Sequence, residues 1–97
     1  MLNILINKDI ARKIGLRNAI LLTLLYSYRD EKGNTIFVSE KFIKEDSGLS
    51  TYAVKKGLKE LQDLGLVIKK VLKTNYYSIN ESILEYYLIS GLPSKNW

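Results

Sequence analysis

Apolar positions along the chain fall into alternating helical and strand periods, separated by short polar breaks. Leu2 to Ile6 is apolar and β-prone and predicts a short strand. Asn7 is placed to cap a helix over 8–14, with Asp9 in its first turn, Ile10 and Ile14 on one face and Gly15 as its stop. A second helix is predicted from Arg17 to Asp30. Its apolar residues, Ala19, Ile20, Leu21, Leu22, Leu24, Leu25, Tyr26 and Tyr28, cover nearly the whole circumference. Such a helix is central to a core or shared with a partner. Lys32-Gly33-Asn34 reads as a turn, and Thr35 to Val38 as a short strand.

Ser39 then caps a helix over 40–46, and Ser47-Gly48-Leu49 predicts a tight turn in which glycine takes a positive φ. Ser50 caps the next helix, from Thr51 to about Leu64, and Gly65 stops it. Leu66 to Leu72 and Tyr76 to Ile79 read as two strands joined by Lys73-Thr74-Asn75. Asn80 caps a last helix, 81–90, ended by Gly91 and Pro93. A helix–turn–helix followed at once by a β-hairpin is the winged-helix arrangement. The predicted class is therefore α+β and mostly helical, with about five helices and a small antiparallel hairpin wing. One domain spans residues 1–90 and a tail 91–97; at 97 residues the chain suits a single core.

Composition changes this picture mainly by exclusion. Apolar residues are 46% and charged residues 26%, so the chain folds rather than staying disordered. It has no Cys and no His, which removes disulfides, thiolate nucleophiles, imidazole bases and the usual zinc sites. Asp30 with Glu31 and Glu45 with Asp46 are adjacent pairs, and neighbours on a helix do not face each other. No metal, cofactor or enzymatic activity is expected, since no spacing assembles a nucleophile with a base. The N-terminus lacks the basic region of a signal peptide. The longest apolar run, Ala19 to Tyr26, is far below the roughly 20 residues a bilayer needs. The expected setting is cytoplasmic, or the host cytoplasm for a viral protein.

Charge adds the functional hint. The net charge is +5, and between Ser50 and Asn80 six Lys stand against only Glu60 and Asp63. On a helical wheel, Val54, Gly57, Leu58, Leu61 and Leu64 share the sector that must face the core. Tyr52, Lys55, Lys56 and Lys59 lie opposite. Ser50 and Thr51 sit at the helix start, where free backbone N–H groups favour phosphate. The hairpin adds Lys69, Lys70 and Lys73. A Lys-rich face is by itself ordinary solvated surface. Here the charge concentrates on the two elements that a winged helix presents to double-stranded DNA, the recognition helix in the major groove and the wing, whose Lys69, Lys70 and Lys73 are expected to approach the backbone phosphates or the minor groove. Gly57 is predicted to permit close helix–helix packing and to have no direct functional role.

The stretch Phe42-Ile43-Lys44-Glu45-Asp46-Ser47-Gly48-Leu49-Ser50-Thr51-Tyr52-Ala53-Val54-Lys55-Lys56-Gly57-Leu58-Lys59-Glu60-Leu61 resembles a winged helix–turn–helix core. Leu61-Gln62-Asp63-Leu64-Gly65-Leu66-Val67 looks like the exit from a recognition helix into a wing. Ala11 to Tyr28 is similar to the amino-terminal domains of phage and plasmid replisome organisers and DnaD-type primosome proteins. The resemblance spans about residues 3 to 90. It implies DNA binding in transcription control or replication initiation, with a replication or transcription protein as a further partner. Replisome organisers carry a second, helicase-loading domain, whereas this sequence ends at Trp97, so a stand-alone regulator is equally expected. Usage rich in Lys, Ile, Asn and Tyr suggests an AT-rich genome, that of a virus or mobile element.

A protein-interaction module is the rival reading, because many winged helices mediate assembly. On the last helix Ile83, Leu84, Tyr87 and Leu88 form one stripe, leaving Tyr86 and Ile89 on the other flank. A homodimer through Tyr86 and Ile89 is expected, assisted by the second helix or the N-terminal strand. The alternative is that the 91–97 tail folds back over that flank.

Overall fold

The structure, a computed structural model, describes residues 8–90, with side chains described for 11–85. The predicted strand from Leu2 to Ile6, the Asn7 cap and the 91–97 tail lie outside the described residues. So do the side chains of Ile10, Tyr86, Tyr87, Leu88 and Ile89. The elements are α1 (Lys8–Ile14), α2 (Leu16–Ser27), β1 (Val38–Ser39), α3 (Glu40–Ser47), α4 (Thr51–Asp63), β2 (Val67–Val71), β3 (Asn75–Ile79) and α5 (Glu81–Ser90). The strands form one antiparallel sheet in the order β1-β3-β2, so the hairpin gains a third strand at its base.

α2 is the hub of the core. It touches α1, α3, α4 and β3, and Leu21, Leu22 and Leu25 are almost wholly buried. Each such side chain contributes roughly 1.5–3 kcal/mol by leaving water. Most of its apolar circumference is thus used up inside the domain, while Ile20 is half-buried and Leu16, at its first turn, is 68% exposed.

Two predicted elements change by more than one residue at an end. α2 stops at Ser27 rather than Asp30. Tyr28 is extended, Arg29 pairs with Thr35 in an isolated bridge, and the Asp30 carboxylate accepts the N–H groups of Lys32 and Asn34 at 2.9 Å each. That carboxylate gives the backbone a turn in place of a further helical one. The strand expected from Thr35 to Val38 is also broken up. Only Val38 and Ser39 find ladder partners, opposite Tyr77 and Tyr76, which leaves Ile36 and Phe37 exposed.

The helix–turn–helix forms as its caps dictate. Ser39 Oγ accepts the Phe42 N–H and Ser50 Oγ the Ala53 N–H, both at 3.1 Å. Each cap contributes about 1 kcal/mol. Between the helices Gly48 sits at φ +72°, a conformation that favours glycine. Val54, Leu58 and Leu61 turn inward from α4 and are fully buried. At Gly57, α4 lies so close to α2 that an added Cβ would collide with Leu21 Cδ1 and come within 2.8 Å of Asn18 Oδ1.

Beside that contact a polar cluster ties the two helices. Buried Asn18 donates Nδ2–H to Glu60 Oε1 at 2.8 Å, and Arg17 Nη2 reaches the same oxygen at 2.7 Å. The Asn18 bond is the main reason the Glu60 carboxyl lies below its ordinary value of 4.5; burial opposes it, and the charges of Arg17 and Lys56 add to it. A carboxyl depressed on folding stabilises the fold above its unfolded value, and the effect is lost as pH falls through the folded value. Glu60→Gln is therefore expected to lower stability at neutral pH and to flatten the acid limb below about 4.5. Urea unfolding across that range checks this; parallel limbs in the two proteins would count against it.

Candidate nucleic-acid interface

α4 fixes one side of the site. Its core-facing residues hold Tyr52, Lys55, Lys56 and Lys59 on the outer face, with Tyr52 71% exposed and the Lys59 side chain 75% exposed. Lys56 Nζ stands 5.8 Å from the Tyr52 ring centroid, so the two make one cation–π surface. Ser50 and Thr51 are exposed at the helix start. The Ser50 oxygen is engaged by its cap, which leaves its hydroxyl hydrogen to donate.

The wing supplies the other side. In the β2–β3 ladder Lys69 lies opposite Tyr77 and Lys70 opposite Tyr76. Directly opposed residues share a sheet face and successive residues alternate. Tyr77 faces inward, so Lys69 turns toward α4. There, with Lys55, Lys59, Gln62, Asp63 and Asn75, it lines a cleft of about 420 Å³ whose floor includes Glu40 and Tyr77. Lys70 points to the opposite face, its ammonium 5.6 Å from the Phe37 ring centroid. The two adjacent lysines, grouped as one cluster in the sequence, are separated by the pleat. Lys73 is exposed in the turn between the strands.

Among the described residues, two of the α4 lysines have carboxylate partners. Lys55 Nζ lies 2.7 Å from Glu40 Oε2, whose side chain is only 16% exposed, and Glu40 Oε1 accepts the Tyr77 hydroxyl at 3.2 Å. Burial, then the Glu40 charge, pushes the Tyr77 hydroxyl up to about 12, so it stays a neutral donor. Lys59 makes a looser, exposed pair with Asp63 at 3.5 Å. Lys55 is thus held at the cleft by a half-sheltered anion, while Lys59 is free to swing. Among the described residues no carboxylate is in ion-pair contact with Lys69 or Lys73.

Glu40, Tyr77, Gln62 and Asn75 were not legible as site residues. They come from α3, β3 and the last turns of α4, and only the closing of the wing against α4 brings them together. Tyr86 and Ile89, the expected dimer contacts, lie on α5, where their side chains are outside the description. No group of three or more His, Cys, Asp or Glu residues among the described residues is placed to hold a metal. No helix of the described residues is long and apolar enough to cross a membrane.

Among the described residues, five helices, a three-stranded sheet, and a helix–turn–helix running directly into a β-hairpin define a winged-helix domain. The chain belongs to the helix-turn-helix domain family, whose model matches residues 12–67, more than half of its length. No curated protein sequence matches it. Among solved structures it is similar to a protein of the thermoacidophilic archaeon Sulfolobus tokodaii, with TM-score 0.67, 23% identity, and 81% of this chain and 76% of that one covered. It is also similar to TubR of Bacillus thuringiensis serovar israelensis pBtoxis, solved bound to 24 bp of tubC, with TM-score 0.57, 21% identity, and coverage of 90% and 94%. An apo-form mutant of Lactococcus lactis ZitR gives TM-score 0.55 and 21% identity over 81% of this chain and 57% of that one. At these identities the likeness is one of fold.

Proposed function

We propose that this chain is a sequence-specific duplex DNA-binding protein, acting as a transcriptional regulator or a replication-initiation factor of viral or mobile-element origin. α4 reads the major groove and the wing holds the backbone. The observation that carries this reading is the convergence of Lys55, Lys59 and Lys69 on one open cleft, next to the exposed Tyr52–Lys56 face of the same helix. The three ammonium groups outnumber the Glu40 and Asp63 carboxylates of the same cleft, which favours a polyanion, and a recognition helix of this exposure fits a groove about 12 Å wide. Membership of the helix-turn-helix family and the DNA-bound state of TubR support it. The resemblance of Ala11 to Tyr28 to replisome organisers keeps replication beside transcription. No enzymatic role is part of the proposal.

Selection from a randomised duplex library, followed by affinity against salt, tests it. Log affinity should fall by about 0.9 per phosphate contact per log unit of salt. No selected sequence and no salt dependence would overturn it. The pleat sharpens the expectation for the wing. Lys69→Ala and Lys73→Ala should weaken binding to all duplexes about equally, whereas Lys70→Ala, on the far face over Phe37, should change affinity little. Fluorescence anisotropy with specific and scrambled duplexes distinguishes them, and an equal loss at Lys69 and Lys70 would contradict this geometry.

The second reading, a protein-interaction module, has its own observation. Phe37, Phe42 and Ile36 are exposed and line a hollow of about 500 Å³ with Tyr28 and Val38. A module of that kind would show no salt-sensitive duplex affinity. The proposal includes a homodimer through Tyr86 and Ile89 on α5, reading two half-sites about one helical turn apart. Light scattering at micromolar concentration should give twice the chain mass, and polar substitutions at these two positions should return it to the monomer.

A further inference from the structure

The wing tip carries two side chains that neither folding nor phosphate binding requires. Val71, on the last rung of the hairpin opposite Asn75, is 65% exposed, and Leu72, the first residue of the turn, is 61% exposed. The turn is closed by the Leu72 N–H donating to the Thr74 carbonyl at 3.0 Å. Leucine brings nothing to such a turn, where Gly, Asn, Asp or Ser supply the useful conformations or hydrogen bonds. A strand favours Val71, but nothing among the described residues covers it. Two adjacent apolar side chains therefore stand in water at the most outlying point of the sheet.

Their surroundings identify the occupant. Lys69, on the sheet face of Val71, and Lys73, next to Leu72 in the turn, flank the pair, so an apolar protein surface closing over the tip would have to strip water from two ammonium groups. A polyanion neutralises them instead. Val71 shares the sheet face of Lys69, the face turned toward α4, and extends about 7 Å beyond it along the strand. A duplex seated on the α4 face would thus meet the tip next.

We propose that Val71 and Leu72 form an apolar wedge that enters the minor groove of duplex DNA, partly unstacks a base step and bends the helix. This inference rests on the duplex-binding reading above and adds a second mode of recognition to it. Leu is among the side chains suited to such insertion, and the energy of unstacking is recovered through the larger surface that bent DNA wraps. The cost is smallest at flexible pyrimidine–purine steps. The wedge therefore supplies a sequence preference at positions that α4 does not touch.

The test uses the full chain and a duplex carrying the selected site. Donor and acceptor dyes at the duplex ends report bending, and 2-aminopurine beside the wing position reports unstacking. The parent should shorten the end-to-end distance and raise 2-aminopurine emission. The double variant Val71→Ser with Leu72→Ser should bind about tenfold more weakly, keep the salt slope, and lose both signals. Both residues are exposed, so its thermal midpoint should match the parent's. Lys73→Ala should do the reverse, reducing the slope while the bend remains. A parent that binds the duplex tightly without bending or unstacking it overturns the wedge and leaves duplex binding standing. A parent that binds no duplex overturns both. Binding to phosphatidylserine vesicles that depends on Leu72, with the duplex left straight, would reassign the tip to an anionic lipid surface and also overturn the wedge.

Discussion

Gly57→Ala is expected to destabilise the domain by about 1–2 kcal/mol, although alanine is the better helix former. Alanine gains about 1 kcal/mol over glycine in a helix interior. Against this, its Cβ would collide with Leu21 Cδ1 and approach Asn18 Oδ1 to 2.8 Å. Neither atom has room to retreat. Leu21 is fully buried, and the Asn18 oxygen accepts from Arg17 Nε at 3.1 Å while its amide donates to Glu60. Overpacking of this kind costs roughly 1–3 kcal/mol, which outweighs the propensity gain. Leu21→Ala alone should cost about 2–5 kcal/mol through the cavity it leaves. Combined, the two changes should cost less than their sum, because the new methyl occupies space vacated by Leu21. Urea unfolding of the four proteins measures the coupling. Additive losses would mean that α2 and α4 do not meet at this point.

The largest expected effect on binding is the loss of Lys55 and Lys59 together. Changing both to Ala should weaken duplex affinity on the order of 10- to 100-fold near physiological salt. The salt slope should fall by about 0.9 for each of the two that touches phosphate. A lysine that reads a base edge would instead relax specificity at one position. Lys55 should matter more than Lys59. Its removal leaves the sheltered Glu40 carboxylate without its cation, facing the incoming phosphates. Glu40→Gln supplies the opposite sign. Its amide oxygen can still accept the Tyr77 hydroxyl, while Lys55 is released and one negative charge leaves the cleft. Duplex affinity should therefore rise and the salt slope steepen. Anisotropy titrations at several salt concentrations check both, with circular dichroism confirming that each variant folds. A Glu40→Gln protein that binds more weakly would show that Lys55 works only when tethered.

Local periodicity by itself determined a large part of this protein. The 3.6-residue repeat in α4 separated Val54, Leu58 and Leu61 from Tyr52, Lys55, Lys56 and Lys59, and the structure buries the first set and exposes the second. Ser39, Ser50 and Gly48 marked the helix–turn–helix because capping and left-handed turns are local chemistry. Gly57 signalled a tight helix contact, because its propensity cost needs a reason. Tertiary structure alone decided what depends on residues far apart in the chain. Glu40 precedes Lys55 by fifteen positions, and no local rule pairs them until α3 and α4 pack. Thr35 to Val38 had strand propensity throughout, yet strand forms only where β3 offers backbone partners, at Val38 and Ser39. α2 was apolar enough for a core or a partner, and only its encirclement by α1, α3, α4 and β3 assigned it to the core. Lys69 and Lys70 lie between these cases. Their opposite faces follow from the pleat, but which face turns toward α4 was decided by Tyr77 packing into the core, through a pairing made across the hairpin.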